Sequence, residues 1–229
     1  MLVKILNKFI KKIKGEDFNL DPTLPTGYIL QLLSIQFINL IWGWMRLRTM
    51  KIAFVSPNST IRCTSKIKFS KNLRIAKGCY IDALSEQGLI CGNNVSIGYN
   101  THIELTGSLK NLGKGMIIGN NVGLGTHGHY GSGMGLLTIG DDTIFGNYVS
   151  IHPETHIFSN INLPIRTQGV KGLGVKIGKN CWIGAKATIL DGTIIGDGCI
   201  VAAGAVVRGE FPPNSIIGGI PAKILKMRI

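Results

Sequence analysis

Aliphatic residues recur at every sixth position along the last third of this chain: Ile177, Ile183, Ile189, Ile195, Val201 and Val207. Four positions after each stand Cys181, Ala187, Thr193, Cys199, Ala205 and Phe211, small in every case but the last. A helix repeats every 3.6 residues and a strand every 2, so neither accounts for the lattice, whereas one short strand plus one corner does. The lattice recurs upstream with breaks in phase, as Ile139, Phe145 and Ile151, as Ile118 and Leu124, as Cys91, Ile97 and Ile103, and as Phe69, Ile75 and Ile81. The third residue after the aliphatic is commonly Asn, Asp or Gly: Asn94, Asn100, Asn121, Asp142, Asn180, Gly192, Gly198 and Gly204. These types reach positive φ at least cost, so a sharp corner is expected once per hexad.

Three hexads make one triangular coil with the aliphatic side chains stacked inside, and each coil adds about 4.8 Å, the spacing of hydrogen-bonded strands. Roughly seven coils between residues 57 and 212 give a prism about 33 Å long by that spacing. Such repeats resemble the left-handed parallel β-helix family. The expected fold is therefore all-β, a left-handed hexapeptide solenoid with an N-terminal helical segment. Phase breaks mark insertions, and insertions on a solenoid are where function usually sits. Two large ones are read at His127 to Thr138 and at Phe158 to Val175.

The chain carries a net charge of +13, which points to an anionic partner. No nucleic-acid recognition motif accompanies the charge, so nucleic acid is not expected as the partner. The five cysteines lack paired spacing. Cys63 and Cys91 fall on aliphatic positions and Cys79, Cys181 and Cys199 on small ones, which predicts buried thiols in a reducing compartment.

Residues 1–51 differ in character from the repeats at 52–212 and from the tail at 213–229. Leu2, Ile5, Leu6, Phe9, Ile10 and Ile13 share one helical face, with Lys4, Lys8, Lys11, Lys12 and Lys14 on the other. That pattern suits a basic helix lying in a membrane interface. Ile29 to Met45 is largely apolar, with Trp42 and Trp44 near its end, but Gln31, Ser34, Gln36 and Asn39 interrupt it. Two readings stand for residues 1–51: attachment to an anionic membrane surface, or packing on the prism and on neighbouring subunits. The first places the protein in the cytoplasm, peripheral on the cytoplasmic face of the inner membrane. A signal peptide is not expected, since lysines break the apolar stretch and no small-residue cleavage site follows.

The segment Ser150 to Asn160 ends a regular run and enters the larger insertion. His156 lies there two residues after Glu154, and an imidazole, with its pKa of about 6.5, can take a proton from an alcohol near neutral pH. From Gly140 onward the chain resembles the hexapeptide-repeat acetyltransferases, in particular the maltose and galactoside O-acetyltransferases and their capsule and O-antigen relatives. The matching pieces are E-T-H at 154–156, L-P-I-R-T-Q-G-V at 163–170, I-G-K-N-C-W-I-G-A at 177–185, A-A-G-A-V-V at 202–207 and G-G-I-P-A-K at 218–223.

That resemblance implies acetyl transfer from acetyl-CoA to a sugar hydroxyl by a homotrimer, with sites between neighbouring prisms and no metal. His156 falls on the family's general base, and Glu154 is the candidate to hold its other ring nitrogen. Ala185, Ala203 and Trp182 match positions beside the pantetheine, and Lys223 and Lys226 match those meeting the CoA phosphates. Arg208 matches a polar or basic position, though Gly209 follows where relatives carry lysine. The acceptor residues of the maltose type are absent here, so a glycan such as a lipid-linked oligosaccharide or nascent polysaccharide is the expected acceptor. His127, His129, Tyr130 and Asn160 are the candidate acceptor contacts. Competing readings are an N-acetyltransferase on an amino sugar, a zinc enzyme of γ-carbonic-anhydrase type using His127, His152 and His156, and a non-enzymatic scaffold.

Overall fold

The computed structural model describes Leu6, Asn7 and residues 20–229. One helix, α1 (Thr26–Leu47), precedes a three-faced coil of short parallel strands. The first face carries Met116–Ile118, Leu137–Ile139, Val175–Ile177, Ile194–Ile195 and Glu210–Phe211. The second carries Ala53–Val55, Gly123–Leu124, Ile144–Phe145, Trp182–Ile183, Ile200–Val201 and Ser215–Gly219. Ile67–Ile75 and Leu89–Ile97 are long enough to bend from the first face into the second, which joins the two into a 14-stranded sheet. The third face is a separate seven-stranded sheet running from Thr60–Arg62 to Val206–Val207, one strand per coil. This is the left-handed parallel β-helix expected from the hexads.

Within each coil the lattice residues point inward and stack on their counterparts one coil away. Ile139 pairs with Ile177, Ile177 with Ile195, Ile183 with Val201, and Ile189 with Val207. All are buried in one continuous core. The small positions are buried too, because Cys181, Ala187, Thr193, Cys199 and Ala205 pack where the coil turns and the interior narrows.

The eight predicted corner residues all have positive φ. Asparagines among them also bind one another up one edge of the prism. Asn72 Nδ2 donates to Asn94 Oδ1 at 3.0 Å, Asn94 Nδ2 to Asn121 Oδ1 at 2.9 Å, and Asn121 Nδ2 to Asp142 Oδ1 at 2.8 Å. The ladder satisfies side chains that the left-handed backbone brings into line. Positive φ also occurs at His127, Tyr148 and Lys186, where residue type gives no warning. The coil geometry imposes it there, because the backbone must turn wherever the strands above and below turn.

Two expectations are corrected by the structure. Cys63 is not on an inward position; Ile61 is, and Cys63 forms a half-buried corner at φ 53°. The first insertion is also shorter than expected, because Tyr130 lies six residues after Leu124, on the lattice, within the regular strand His129–Gly131. Only the stretch from Ser132 to Leu136 departs from the coil path.

α1 lies against the first coil through Gly43, where any Cβ would collide with the Ala53 carbonyl. Trp42 and Leu47 pack on the core, Arg46 donates to the Ile61 carbonyl at 3.3 Å, and Lys51 Nζ donates to the Phe69 carbonyl at 2.7 Å. The opposite side of α1 leaves Leu30, Leu33, Phe37, Ile38 and Met45 exposed. The helix is 22 residues long and apolar enough to cross a membrane by length and composition. The expected basic face of residues 4–14 lies outside the described residues. Leu6 is buried, and Asn7 Oδ1 accepts from the Leu20 amide at 3.0 Å.

Replacing Asn121 by Val should cost about 1–2 kcal/mol, the penalty of a β-branched side chain in the left-handed region that Asn tolerates, with the ladder bond lost in addition. Asn121→Gly should recover most of the backbone part. Denaturant unfolding of the two variants checks the ranking; equal stabilities would show that the corner is not strained.

Candidate active site

The repeat is interrupted between Ile151 and Val175, and the chain uses the excursion to build a hairpin. Thr155–His156 pairs antiparallel with Val170–Lys171, placing His156 opposite Val170. The Ile157 amide continues the hairpin to the Gly169 carbonyl at 3.0 Å. The loop beyond is tied by Gln168, whose Nε2 donates to the carbonyls of Asn160 at 2.8 Å and Leu163 at 2.9 Å. Its return to the prism is anchored by buried Asp191, which accepts from the Leu173 and Gly174 amides at 2.7 and 2.9 Å. The insertion packs on Ser132–Leu136 backbone to backbone, since a Cβ on Gly135 would meet the Pro153 carbonyl.

His156 is exposed on this hairpin, and its ring forms no hydrogen bond among the described residues. The expected Glu154 partnership is absent. Glu154 Oε2 instead accepts from the Met134 amide at 3.0 Å, fastening the shorter insertion to the longer one. Glu154 also borders a cavity of about 220 Å³ with Glu104, His129, Ser132 and His152.

Two of its lining residues, His129 and His152, belong to a column of stacked rings on the third face. Tyr80 lies 4.6 Å from His102, His102 5.3 Å from His129, and His129 5.5 Å from His152, centroid to centroid. His152 Nε2 is 2.6 Å from Ser150 Oγ, and His102 Nε2 is 3.3 Å from Glu104 Oε2. Partial burial, followed by the neighbouring His152 and His102, holds the His129 pKa below its ordinary value. The shift favours the uncharged imidazole of His129. His102 and Glu104 are not among the residues expected at a site, and His152 is expected only as a zinc ligand, although each falls on an outward strand position beside the lattice.

Donor atoms of His102, Glu104 and His129 lie within 4.8 Å of one another, the metal-capable grouping found among the described residues. The two rings are nearly parallel, at 9°, so their in-plane lone pairs do not converge without a ring rotation. His127, His152 and His156 form no such grouping among the described residues. His127 belongs to a corner stack, with Asn100 Nδ2 at 3.1 Å and the Tyr148 ring at 4.8 Å.

Of the other expected acceptor contacts, Asn160 is exposed, and its Oδ1 caps the Asn162 amide at 3.0 Å. Tyr130 is the clear correction. Its side chain is fully buried, packs edge-on against Phe145 at 5.9 Å, and its hydroxyl has no partner. Burial drives its pKa far upward. It fills the coil interior where other coils hold an aliphatic residue, and it cannot meet an acceptor.

The expected cofactor residues gather on the second face and its edges. Trp182 projects outward between Ile144 and Ile200 in register. Ala185 and Ala203 follow on that edge in consecutive coils, joined by the Gly204 amide donating to the Ala185 carbonyl at 2.9 Å. Lys223 and Lys226 lie on the closing strand Ala222–Met227, opposite Gly218 and Ile216, and Ile216 stacks on Ile200. Arg208 is exposed just after Val206–Val207, a third-face strand that neighbours the closing strand carrying the two lysines. Ala185 precedes the third-face strand Thr188–Leu190, whereas Glu154 and His156 follow its neighbour Ser150–His152. His156 and the alanine edge therefore lie beyond opposite ends of these third-face strands, whose length is about 10 Å for three residues.

Residues 174–209 match the model of the bacterial transferase hexapeptide, six repeats. Within that stretch the lattice is similar to the transferase repeat. A Mycobacterium tuberculosis protein named as an acetyltransferase is 48% identical over 73 residues, 32% of this chain and 24% of its own length. WbbJ of Escherichia coli K12, named for O-acetyl transfer in lipopolysaccharide biosynthesis, is 46% identical over 68 residues, 30% of this chain and 35% of its own length. The matched stretch therefore spans about a third or less of each of these relatives. AntD, an N-acyltransferase from Bacillus cereus solved with dTDP and 3-hydroxybutyryl-CoA, superposes with a TM-score of 0.53 at 19% identity. That superposition covers 77% of this chain and 80% of AntD, and it speaks for the shared hexapeptide fold.

Because the Tyr130 hydroxyl is buried without a partner, Tyr130→Phe should leave any transferase activity unchanged and raise stability, by about 1 kcal/mol or more. A thermal melt together with an activity assay checks this. A large loss of activity at unchanged stability would return Tyr130 to the site.

Proposed function

We propose that this protein transfers an acetyl group from acetyl-CoA to a hydroxyl of a glycan, with His156 as general base. The observation carrying the proposal is the free, exposed imidazole of His156 on a hairpin just before the stretch that matches a transferase repeat, two residues from Glu154 at the edge of a polar cavity. Its ring would remove the acceptor proton as the hydroxyl oxygen attacks the thioester carbonyl. The tetrahedral intermediate then expels the CoA thiolate, which recovers the proton from the imidazolium. No acyl-enzyme is needed. Backbone amides must stabilise the oxyanion, since an unassisted negative charge in a closed site is costly.

The separation of His156 from the Trp182, Ala185 and Ala203 edge supports a homotrimer. In that assembly the base of one prism and the cofactor wall of the next face the same groove, and Lys223 and Lys226 supply charge-assisted contacts to CoA phosphates. The cavity lined by Glu104, His129 and His152 is polar and ring-walled, which suits a sugar acceptor. WbbJ, named for O-acetyl transfer, favours the hydroxyl over the amine as the accepting group.

The apolar side of α1 supports attachment to a membrane surface, where a lipid-linked or nascent polysaccharide would be met. The proposed location is the cytoplasmic face of the inner membrane. After gentle lysis and high-speed centrifugation, the full-length protein should pellet with membranes. Recovery in the supernatant would sink this part of the proposal.

His156→Ala should reduce transfer by about 10²–10⁴-fold, the usual contribution of a general base. The measurement is the alkali-labile acetyl content of surface glycans in cells carrying the wild-type or variant protein. Full O-acetylation by the variant overturns the assignment, and an alkali-stable amide product would point to an amino-sugar acceptor.

A further inference from the structure

A cavity of about 550 Å³ lies between α1 and the first coils. Ile35, Ile38 and Asn39 line it from the helix, and Phe54, Arg74 and Lys77 from the prism. Among the described residues no acidic side chain borders it, nor the adjoining hollow of about 340 Å³ that shares Arg74. Arg74 lies over the Phe54 ring, 4.9 Å from its centroid, and has no hydrogen bond or ion pair among the described residues. Burial lowers its pKa, a sign that the guanidinium has given up hydration without gaining a counter-ion.

A partly desolvated guanidinium without an anion is unfavourable, and its planar fork matches phosphate oxygens. Lys77 brings a second positive charge to the same cavity. The remaining wall differs in kind. Ile35 and Ile38 are 43% and 53% exposed, and the apolar surface continues through Phe37, which is 64% exposed. A small inorganic anion would leave that surface in water, whereas an anion carrying an apolar tail would cover it.

We propose that this groove binds the phosphate of a membrane lipid, with Arg74 and Lys77 on the headgroup and the apolar chain along Ile35 and Ile38. The site deepens the membrane attachment proposed above and shares no residue with the His156 site. It gives α1 a specific lipid contact in addition to its general apolarity, and it holds the first coils at the membrane surface.

The test is calorimetric titration of the full-length protein with dihexanoyl phosphatidic acid below its micelle concentration. The titration is run in 0.5 M NaCl, where non-specific attraction to the basic chain is screened. Saturable binding is expected, at least tenfold weaker for Arg74→Gln and several-fold weaker for Ile38→Asn. Arg74→Lys, which keeps the charge but loses the fork, should fall between wild type and Arg74→Gln, and circular dichroism confirms that each variant is folded. Dihexanoyl phosphatidylcholine and inorganic phosphate should each bind at least tenfold more weakly.

Equal binding by Arg74→Gln and wild type overturns the site. Phosphate binding as tightly as the lipid, with Ile38→Asn unaffected, overturns the lipid assignment. A change in molar mass of Arg74→Gln by light scattering, with its lipid titration intact, assigns Arg74 to contacts between copies and also overturns the proposal. The soluble probe separates this site from surface attachment. Lost pelleting with an intact titration sinks attachment alone, and an absent titration with intact pelleting sinks the groove alone.

Discussion

Coil-to-coil pairing in strict register is the constraint on which the rest of this structure depends. Each strand finds its hydrogen-bond partners one coil above and one below, as Thr188–Leu190 does between Ser150–His152 and Val206–Val207. A parallel ladder with a fixed rise forces equivalent positions of successive coils into columns. Inward columns become the aliphatic core and corner columns become the asparagine ladder. Outward columns become rows of like-placed side chains, and the stacked Tyr80, His102, His129 and His152 rings are one such row.

The same constraint explains where chemistry can enter. A coil in perfect register offers flat faces, so a projecting base requires the register to be suspended and then restored. Here the suspension begins after His152 and ends at Val175, and Asp191 makes the restoration possible by capping the Leu173 and Gly174 amides. The hairpin between these points carries His156 clear of the third face. Glu154, which the sequence pairs naturally with His156, is drawn away because the Met134 amide on the shorter insertion also needs a partner.

The prism has two chemically distinct ends. At the closing end, the hairpin of Ser215–Gly219 with Ala222–Met227 adds lysines above a face bearing Trp182 and Ile200. At the opening end, α1 covers the first coil but leaves a cation-lined, acid-free cavity beside an apolar helix face. Charge at both ends, with the His156 hairpin between them, is compatible with the transfer proposed above.

The hexads alone determined the architecture, because side-chain volume and φ preference repeat with the coil and are local properties. They were sufficient for the core columns, for the corners at Asn94, Asn121 and Asp142, and for the position of the long insertion. Tyr130 lies on the lattice, but an aromatic hydroxyl beside two histidines suggests a polar role, and only the packed interior shows it filling an aliphatic site. Tertiary structure alone decided what Glu154 holds, that His102, His129 and His152 form one column, and that Arg74 lacks a counter-ion. Each of these depends on residues far apart in the chain that only coil stacking brings side by side.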